Sequence, residues 1–180
     1  MTPSVTAPML IRDMTPHDID AALTIEEASS SQPWTVGIFN DELADRVFRS
    51  YRIGCINDEV VGFCGLMIQL DEGHITNIAV SPEFRGLGLG AALLLDTVKI
   101  AIARKVRALT LEVRVSNAPA RVLYQRFGFA PVGVRPNYYR VDNEDALIMW
   151  AHDIDAAPYG VRLAGIASTL AERLQTAPVS

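Results

Sequence analysis

Residues 74–105 place a strand-like run, a glycine-rich loop and a long apolar run in direct succession. The first run, HITNIAV at 74–80, is rich in β-branched and apolar residues, as strands are. The loop RGLGLG occupies 85–90, and the run 88–105 is rich in Ala, Leu, Lys and Arg, which favour a helix. The chain therefore turns from a strand into a helix across three glycines, so the fold must combine a sheet with helices.

Other segments continue this alternation. Pro16 is suited to the first turn of a helix, and Thr35 can cap a second one. Short turns after residues 56 and 70 favour an antiparallel meander. The predicted order β-α-α-β-β-β-α-β-α-β-β is a mixed α+β fold: a mostly antiparallel, twisted sheet of about seven strands with helices on both faces. The predicted strands are 9–14, 49–56, 60–70, 74–80, 108–115, 129–136 and 145–154.

With 180 residues, the chain is expected to form one domain that can bury a core. We expect residues 1–8 to be a flexible tail, 9–154 the folded domain, and 155–180 a C-terminal extension of helical character. Apolar residues recur in this extension at helical spacing, which predicts either an amphipathic helix docked on the body or a helix that binds a partner. These residues are Leu163, Ile166, Leu170 and Leu174.

The net charge of −5 argues against a nucleic-acid partner, because nucleic-acid-binding surfaces are normally basic. The longest apolar run is interrupted by Asp96 and Lys99, so we expect no membrane span. The N-terminus lacks the basic and apolar regions of a signal peptide. We therefore expect a soluble, cytoplasmic protein without direct nucleic-acid or membrane contact, acting as a monomer or weak homodimer.

Two cysteines, Cys55 and Cys64, lie in apolar strand-like runs, which favours reduced, buried side chains. The three histidines are scattered, and the sequence contains no Cys-x-x-Cys pair or His/Cys cluster. We therefore expect no metal site. Neither cysteine stands in a nucleophile motif, so no covalent acyl-enzyme is expected.

The glycine loop, taken alone, is either a structural turn or a phosphate site. A helix N-terminus offers free backbone N–H groups, glycines permit close approach of an anion, and Arg85 adds positive charge. The spacing is neither that of a dinucleotide-binding loop nor that of a P-loop.

In context, the motif becomes specific. VSPEFRGLGLG at 80–90 resembles the acetyl-CoA pyrophosphate loop of the GNAT acyltransferase superfamily. Together with NIAV, LEVRVSNAPARVLYQRFGF, VGVRPNYYR and EDALIMW, it resembles the RimI-type protein N-terminal acetyltransferases. The resemblance covers roughly residues 10–153 and implies the GNAT fold. It also implies direct transfer of an acetyl group from acetyl-CoA, in a ternary complex, to the N-terminal alanine of a small-subunit ribosomal protein.

The resemblance also implies a co-substrate site. Arg85 and the backbone amides of the loop would hold the pyrophosphate, and a strand would pair with the pantetheine arm. The amide near Val80 would polarise the thioester carbonyl, and Asn117 would contact CoA. Alternatively, the strand side chains are plain core and Asn117 is a helix cap. The loop residues are Gly86, Leu87, Gly88, Leu89, Gly90 and Ala91, and the strand residues are Ile78, Ala79 and Val80.

Two residues match the catalytic pair of the family. Glu112 in LEVRVSN would be the general base, or else an exposed strand carboxylate paired with Arg114 or a neighbour. Tyr124 in RVLYQRF would be the acid that protonates the departing thiolate, or else a helix tyrosine that anchors the core.

The acceptor peptide is expected to lie between two loops, one with Trp34 and one, between the last two strands, with Tyr138 and Tyr139. The alternative is that these aromatic side chains only pack against the core and so anchor the two loops. The chain departs from many members at Gly86 and Leu87, where they carry basic residues, so the affinity for the 3′-phosphate region is expected to differ.

Two other functions remain open at this point. One is acetylation of lysine side chains or small amines; a lysine amine with a pKa of about 10.4 would demand a stronger base. The other is an acyl-CoA-binding sensor without turnover, with the C-terminal extension as its interaction surface. The joint presence of Glu112 and Tyr124 argues against the sensor.

Overall fold

A computed structural model describes residues 9–175, with side chains described as far as Arg173. The predicted flexible tail at 1–8 and the last five residues, 176–180, lie outside this range. Leu174, the last residue of the predicted apolar stripe, lies outside the described side chains. The division of the chain at residue 154 stays a prediction.

The predicted order of elements up to the seventh strand is confirmed, and a helix follows it. The strands are β1 Leu10–Asp13, β2 Arg49–Ile56, β3 Glu59–Gln69, β4 Glu72–Val80, β5 Ala108–Arg114, β6 Ala130–Tyr139 and β7 Glu144–Ala151. The α-helices are α1 Ile19–Glu27, α2 Val36–Ala44, α3 Leu89–Ala103, α4 Ala118–Arg126 and α5 Ala157–Gln175. As expected, Thr35 caps α2 by accepting a hydrogen bond from the Ile38 amide.

The seven strands form one sheet in the order β1-β2-β3-β4-β5-β7-β6. All neighbours pair antiparallel except β4 and β5, which run parallel. In the described part of the chain, this parallel pairing covers only Glu72–His74 with Ala108–Thr110. Beyond His74 the two strands separate, so the edge of β4 that faces β5 leaves its backbone unpaired with that strand.

The prediction for the end of β6 was wrong. The strand was expected to end at residue 136 with Asn137, Tyr138 and Tyr139 in the following loop, but it runs to Tyr139. Asn137 takes a left-handed conformation, with a φ of 50°, and its amide donates to Asp145 Oδ1 at 2.7 Å. This bulge lets Tyr139 pair with Glu144 again, so the strand resumes after the irregularity.

Two hydrophobic cores lie on opposite faces of the sheet. Phe63 of β3 packs in one with Phe39 of α2 and residues of α1, whereas Cys64 packs in the other with α3, α4 and α5. Successive side chains of a strand point to opposite faces, which explains this separation of adjacent residues. Both cysteines are buried and free of a disulfide, as predicted.

Helix α5 lies against the second core. Its side chains Tyr159, Leu163, Ile166 and Leu170 are buried, and the Tyr159 hydroxyl donates to the Phe127 carbonyl at 2.7 Å. This is the docked arrangement of the amphipathic helix rather than one that leaves its apolar face in solvent.

Within residues 9–175, no helix combines the length and hydropathy that a membrane crossing requires. Over the same residues, no group of three or more His, Cys, Asp and Glu side chains is arranged to hold a metal ion.

Candidate active site

Two cavities open where β4 and β5 separate. One, of about 470 Å³, contains carboxylates and aromatic side chains, and we call it the polar cavity. The other, of about 390 Å³, lies over the glycine loop, and we call it the glycine-loop cavity. Both are lined by Ile78, Ala79, Asn117 and Tyr124, so the two cavities meet at these four residues.

Glu112 lies in the polar cavity, on β5. One carboxylate oxygen lies 2.6 Å from His74 Nε2 and accepts a hydrogen bond when this ring nitrogen carries a proton. Arg135 Nη2 lies 3.3 Å from the other carboxylate oxygen. The hydrogen bond with His74 holds the pKa of Glu112 below its ordinary value although burial opposes this. Arg114, one of the predicted alternative partners, instead contacts Glu144 at 3.1 Å.

His74 was missed as a site residue by the sequence analysis. It is the last residue of β4 to pair with β5, opposite Thr110, and so its side chain reaches Glu112 two residues further along. His74 and Glu112 lie on the neighbouring strands β4 and β5. Their contact could not be predicted, because the sequence does not reveal the parallel register of these two strands. Together they form a hydrogen-bonded pair that faces the polar cavity.

Glu26 is the second missed residue. It is 4% exposed, and its carboxylate accepts hydrogen bonds from Asn77 Nδ2 at 3.0 Å and the Trp34 amide at 3.4 Å. Burial is the main cause that raises its pKa above the ordinary value. The sequence did carry a signal, because Glu26 falls seven residues after Ile19 on the buried face of α1.

Tyr124 lies at the junction of the two cavities. It is buried on α4, and its ring packs edge-on against Phe129 with the centroids 5.9 Å apart. Burial raises its pKa well above the ordinary value, so the phenol is protonated at neutral pH. Among the described residues its hydroxyl has no hydrogen-bond partner. The side chain therefore anchors the core and also lines both cavities.

The glycine loop leads directly into α3. Gly86 and Gly88 have φ values of 78° and 89°, a left-handed conformation that glycine adopts without steric cost. Gly88 is the N-cap of α3 and provides no side chain, so the first amides of the helix receive no hydrogen bond from a capping side chain. The cavity is lined by Gly86, Gly88, Leu89, Gly90 and Ala91.

Two other loop residues have protein partners. Arg85 lines the cavity, but its guanidinium donates to the Val80 carbonyl at 3.1 Å and to Ser29 Oγ at 2.9 Å. Leu87 is not one of the lining residues and packs against a small core cluster around Phe84. The predicted contact of the Leu87 backbone amide with the pyrophosphate stays a prediction.

Asn117 has the role of a cap and a place in the site at once. Its side chain accepts a hydrogen bond from the Ala120 amide at 3.2 Å, which caps α4. It also lines both cavities, so capping and ligand contact do not exclude each other.

The predicted acceptor residues all line the polar cavity. Trp34 packs edge-on against Phe39 with the ring centroids 5.4 Å apart. This contact agrees with the alternative in which Trp34 anchors its loop to the core. Arg114 lies over the ring of Tyr139 at 3.9 Å, and burial raises the pKa of this tyrosine to about 12. Tyr138 is 45% exposed, so it offers its surface to solvent at the rim.

A polar bridge joins the two loops that flank this cavity. Arg114 donates to Ser31 Oγ at 3.0 Å and contacts Asp142 at 2.7 Å, and Ser31 also donates to Asp142. Ser31 follows α1 and Asp142 follows β6, so the bridge joins the segments that come after these two elements.

Two adjoining cavities that share Tyr124 in their walls suit an enzyme that brings two substrates together. The sequence model described as the acetyltransferase (GNAT) family matches residues 17–129. The chain therefore belongs to this family, whose members are acetyltransferases that use acetyl-CoA.

Individual relatives agree. A Bacillus subtilis relative is 44% identical over 140 residues, which are 78% of this chain and 93% of that protein; it bears the provisional name ribosomal protein bS18-alanine N-acetyltransferase. The Escherichia coli K12 protein of that name is 37% identical over 134 residues, covering 73% of this chain and 89% of its own. The crystal structure of the ribosomal-protein-S18-alanine N-acetyltransferase from Escherichia coli matches with a TM-score of 0.75 and 34% identity, covering 81% of this chain and 94% of that one.

Proposed function

We propose that this chain transfers an acetyl group from acetyl-CoA to the N-terminal amine of a protein, with the N-terminal alanine of a small-subunit ribosomal protein as acceptor. The observation that carries the proposal is the meeting of the two cavities at Tyr124, where β4 and β5 separate. Relatives named for acetylation of ribosomal protein bS18 support the choice of acceptor. A ribosomal acceptor would place the reaction in the cytoplasm.

The glycine-loop cavity would hold the co-substrate. The amides at the start of α3 would bind the pyrophosphate, since a helix N-terminus attracts anions. Ile78–Val80 would pair with the pantetheine arm through backbone that β5 leaves free. The Val80 amide would donate to the thioester oxygen as negative charge develops there, an interaction commonly worth about 3–4 kcal/mol of barrier.

The proton of the amine would pass to the pair of Glu112 and His74. A peptide α-amine has a pKa of about 7.7–8.0, so part of it is already neutral at physiological pH. A carboxylate whose pKa is lowered is ionised there and can accept the proton directly or through water. Its lowered pKa also makes it a weak base, so it suits an amine that is already partly neutral. Glu26 also lines the polar cavity and would attract the incoming ammonium group.

The neutral amine would then attack the carbonyl carbon of the thioester. A C–N bond forms, the C–S bond breaks, and the electron pair of that bond leaves on sulfur. Tyr124 would donate its proton to the thiolate, because a phenol with a raised pKa stays protonated until a base appears beside it. Trp34, Tyr138 and Tyr139 would hold the first residues of the acceptor.

The experiment is an incubation of the full chain with acetyl-CoA and peptides that differ only in the first residue, read by mass shift. Each peptide has a matched control with a blocked α-amine and a free lysine. Acetylation of alanine-type free N-termini alone is the expected result. Modification of the blocked peptides would support the lysine activity instead. CoA binding without any transfer would support the sensor.

A further inference from the structure

The charged side chains that line the glycine-loop cavity are positive, although the chain as a whole is negatively charged. Three arginines line it, Arg85, Arg126 and Arg173, and no aspartate or glutamate is among the described lining residues. The chain as a whole has a net charge of −5. Cations gathered without carboxylates favour a ligand with several negative charges.

One of these arginines comes from α5, outside the region matched by the family model. Arg173 follows the buried Leu170 by three residues, so the two lie on the same face of the helix. A Cβ atom on Gly88 would lie 3.2 Å from Leu170 Cδ2, which shows that helix and loop are in van der Waals contact. The last turn of the described helix therefore reaches the glycine loop.

Arg173 also contacts the loop directly. Its Nη2 donates to the Gly86 carbonyl at 3.3 Å, so the guanidinium lies beside the start of the phosphate-binding segment. Residues 86–91 contain no cation of their own. Arg85 directs its guanidinium to Val80 and Ser29, so Arg173 brings charge to the loop from a different side.

We propose that Arg173 binds a phosphate group of acetyl-CoA, so that α5 forms part of the co-substrate site. This inference rests on the proposed function. Guanidinium groups suit phosphate because they donate several hydrogen bonds from a planar, permanently charged group. The ligand carries two such anionic centres, the pyrophosphate and the 3′-phosphate, and both are chemically acceptable partners.

The test compares the full-length chain with Arg173→Met, Arg173→Lys and Lys99→Met. Lys99→Met removes the same charge from an exposed position of α3 that is not among the cavity residues. Each protein is titrated calorimetrically with CoA and with 3′-dephospho-CoA at several salt concentrations. Arg173 is exposed, so its variants are expected to fold, and circular dichroism checks this.

Arg173→Met is expected to weaken CoA binding about tenfold and to flatten the salt dependence of the Kd. Arg173→Lys should retain part of the affinity, and Lys99→Met should match the wild type. A loss seen with CoA alone assigns the 3′-phosphate, and an equal loss with both ligands assigns the pyrophosphate; both support the proposal.

Equal affinities for all four proteins would overturn the inference and leave the proposed function intact. A weaker Kd with unchanged salt dependence would overturn it too, because Arg173 would then only hold the loop through Gly86. Failure of the wild type to bind CoA would overturn the inference and the proposed function together.

Discussion

The polar cavity and the glycine-loop cavity are similar in size but differ in the charged side chains that line them. The polar cavity, of about 470 Å³, has two carboxylates, Glu26 and Glu112, and one arginine, Arg114, in its wall. The glycine-loop cavity, of about 390 Å³, is lined by three arginines and by no described carboxylate. The first suits a cationic amine and the second a polyanion. The two cavities therefore adjoin where β4 and β5 separate, and Tyr124 is one of the residues that line both.

The cavities also differ in how their charges are held. In the polar cavity, each carboxylate has hydrogen bonds from side chains or backbone of another element, so its proton affinity is set by tertiary contacts. In the glycine-loop cavity, the proposed binding groups are largely backbone amides, whose direction depends on local conformation. Substitutions should therefore alter turnover in the first and ligand affinity in the second.

The largest effect is expected at the junction. Tyr124→Phe removes the proposed acid while keeping the ring that packs against Phe129. Loss of a general acid costs about 10²–10⁴-fold in rate, so kcat should fall within this range while the KM for acetyl-CoA stays within about twofold. Steady-state kinetics measures both, and unchanged turnover would reduce Tyr124 to a packing role.

The next effect separates the two carboxylates of the polar cavity. Glu112→Gln should lower kcat about 10²-fold, most severely at low pH, where more of the amine must lose a proton. Glu26→Gln should lower kcat/KM for the peptide about tenfold, mainly by raising the KM, since one attractive charge is lost. The kcat and kcat/KM profiles of both variants against pH check this. A larger kcat loss for Glu26→Gln would exchange the two roles.

A smaller effect tests the backbone character of the glycine-loop cavity. Gly86→Ala must place a side chain at a φ of 78°, which costs about 1–2 kcal/mol of stability and should displace the loop amides. Gly90→Ala meets only ordinary contacts at 3.7 and 3.8 Å inside a helix, where alanine is favoured by up to about 1 kcal/mol. Urea unfolding and CoA titration should show both losses for Gly86→Ala alone. Equal behaviour would mean that the left-handed glycine is dispensable.

The smallest effect is a difference in sign between the same two carboxylates. The pKa of Glu112 is below its ordinary value of 4.5 in the folded chain, so its ionisation stabilises the fold above that pH, and this stability is lost as pH falls through the lowered pKa. The pKa of Glu26 is raised, so its ionisation opposes folding at neutral pH, and the penalty disappears as pH falls through the raised pKa towards 4.5.

Glu112→Gln should therefore lower the free energy of unfolding at pH 7, and Glu26→Gln should increase it. Both differences from the wild type should shrink as the pH is lowered. Urea unfolding measured from pH 7 down to about the ordinary glutamate pKa of 4.5 gives these differences. Differences of the same sign in both variants would contradict the assigned directions of the two pKa shifts.

Much of the architecture was predictable because it depends on local patterns. Thr35 caps α2, the strand β2 occupies 49–56, and Gly128 takes the left-handed conformation expected after α4. The end of β6 was not predictable, because a bulge at Asn137 is held by Asp145 from the next strand. Such a contact has no signature in the pattern of the bulged segment itself.

The candidate site divides in the same way. Glu112, Tyr124 and the glycines follow from contiguous motifs, and the structure brings them to the walls of two adjoining cavities. His74 and Glu26 did not follow, because a histidine or glutamate outside a motif is more often a surface or core residue. Their significance comes from partners 38 and 51 residues away in sequence.

By itself, the sequence determined the order of strands and helices, the glycine-rich loop between β4 and α3 and the family, since each depends on the spacing of neighbouring residues. Only the tertiary structure decided which residues share a cavity. The parallel register of β4 and β5 sets His74 beside Glu112, and the docking of α5 sets Arg173 beside Gly86. Proton affinity and ligand charge depend on burial and on atoms a few ångströms away, and distances of that kind arise only when remote segments pack together.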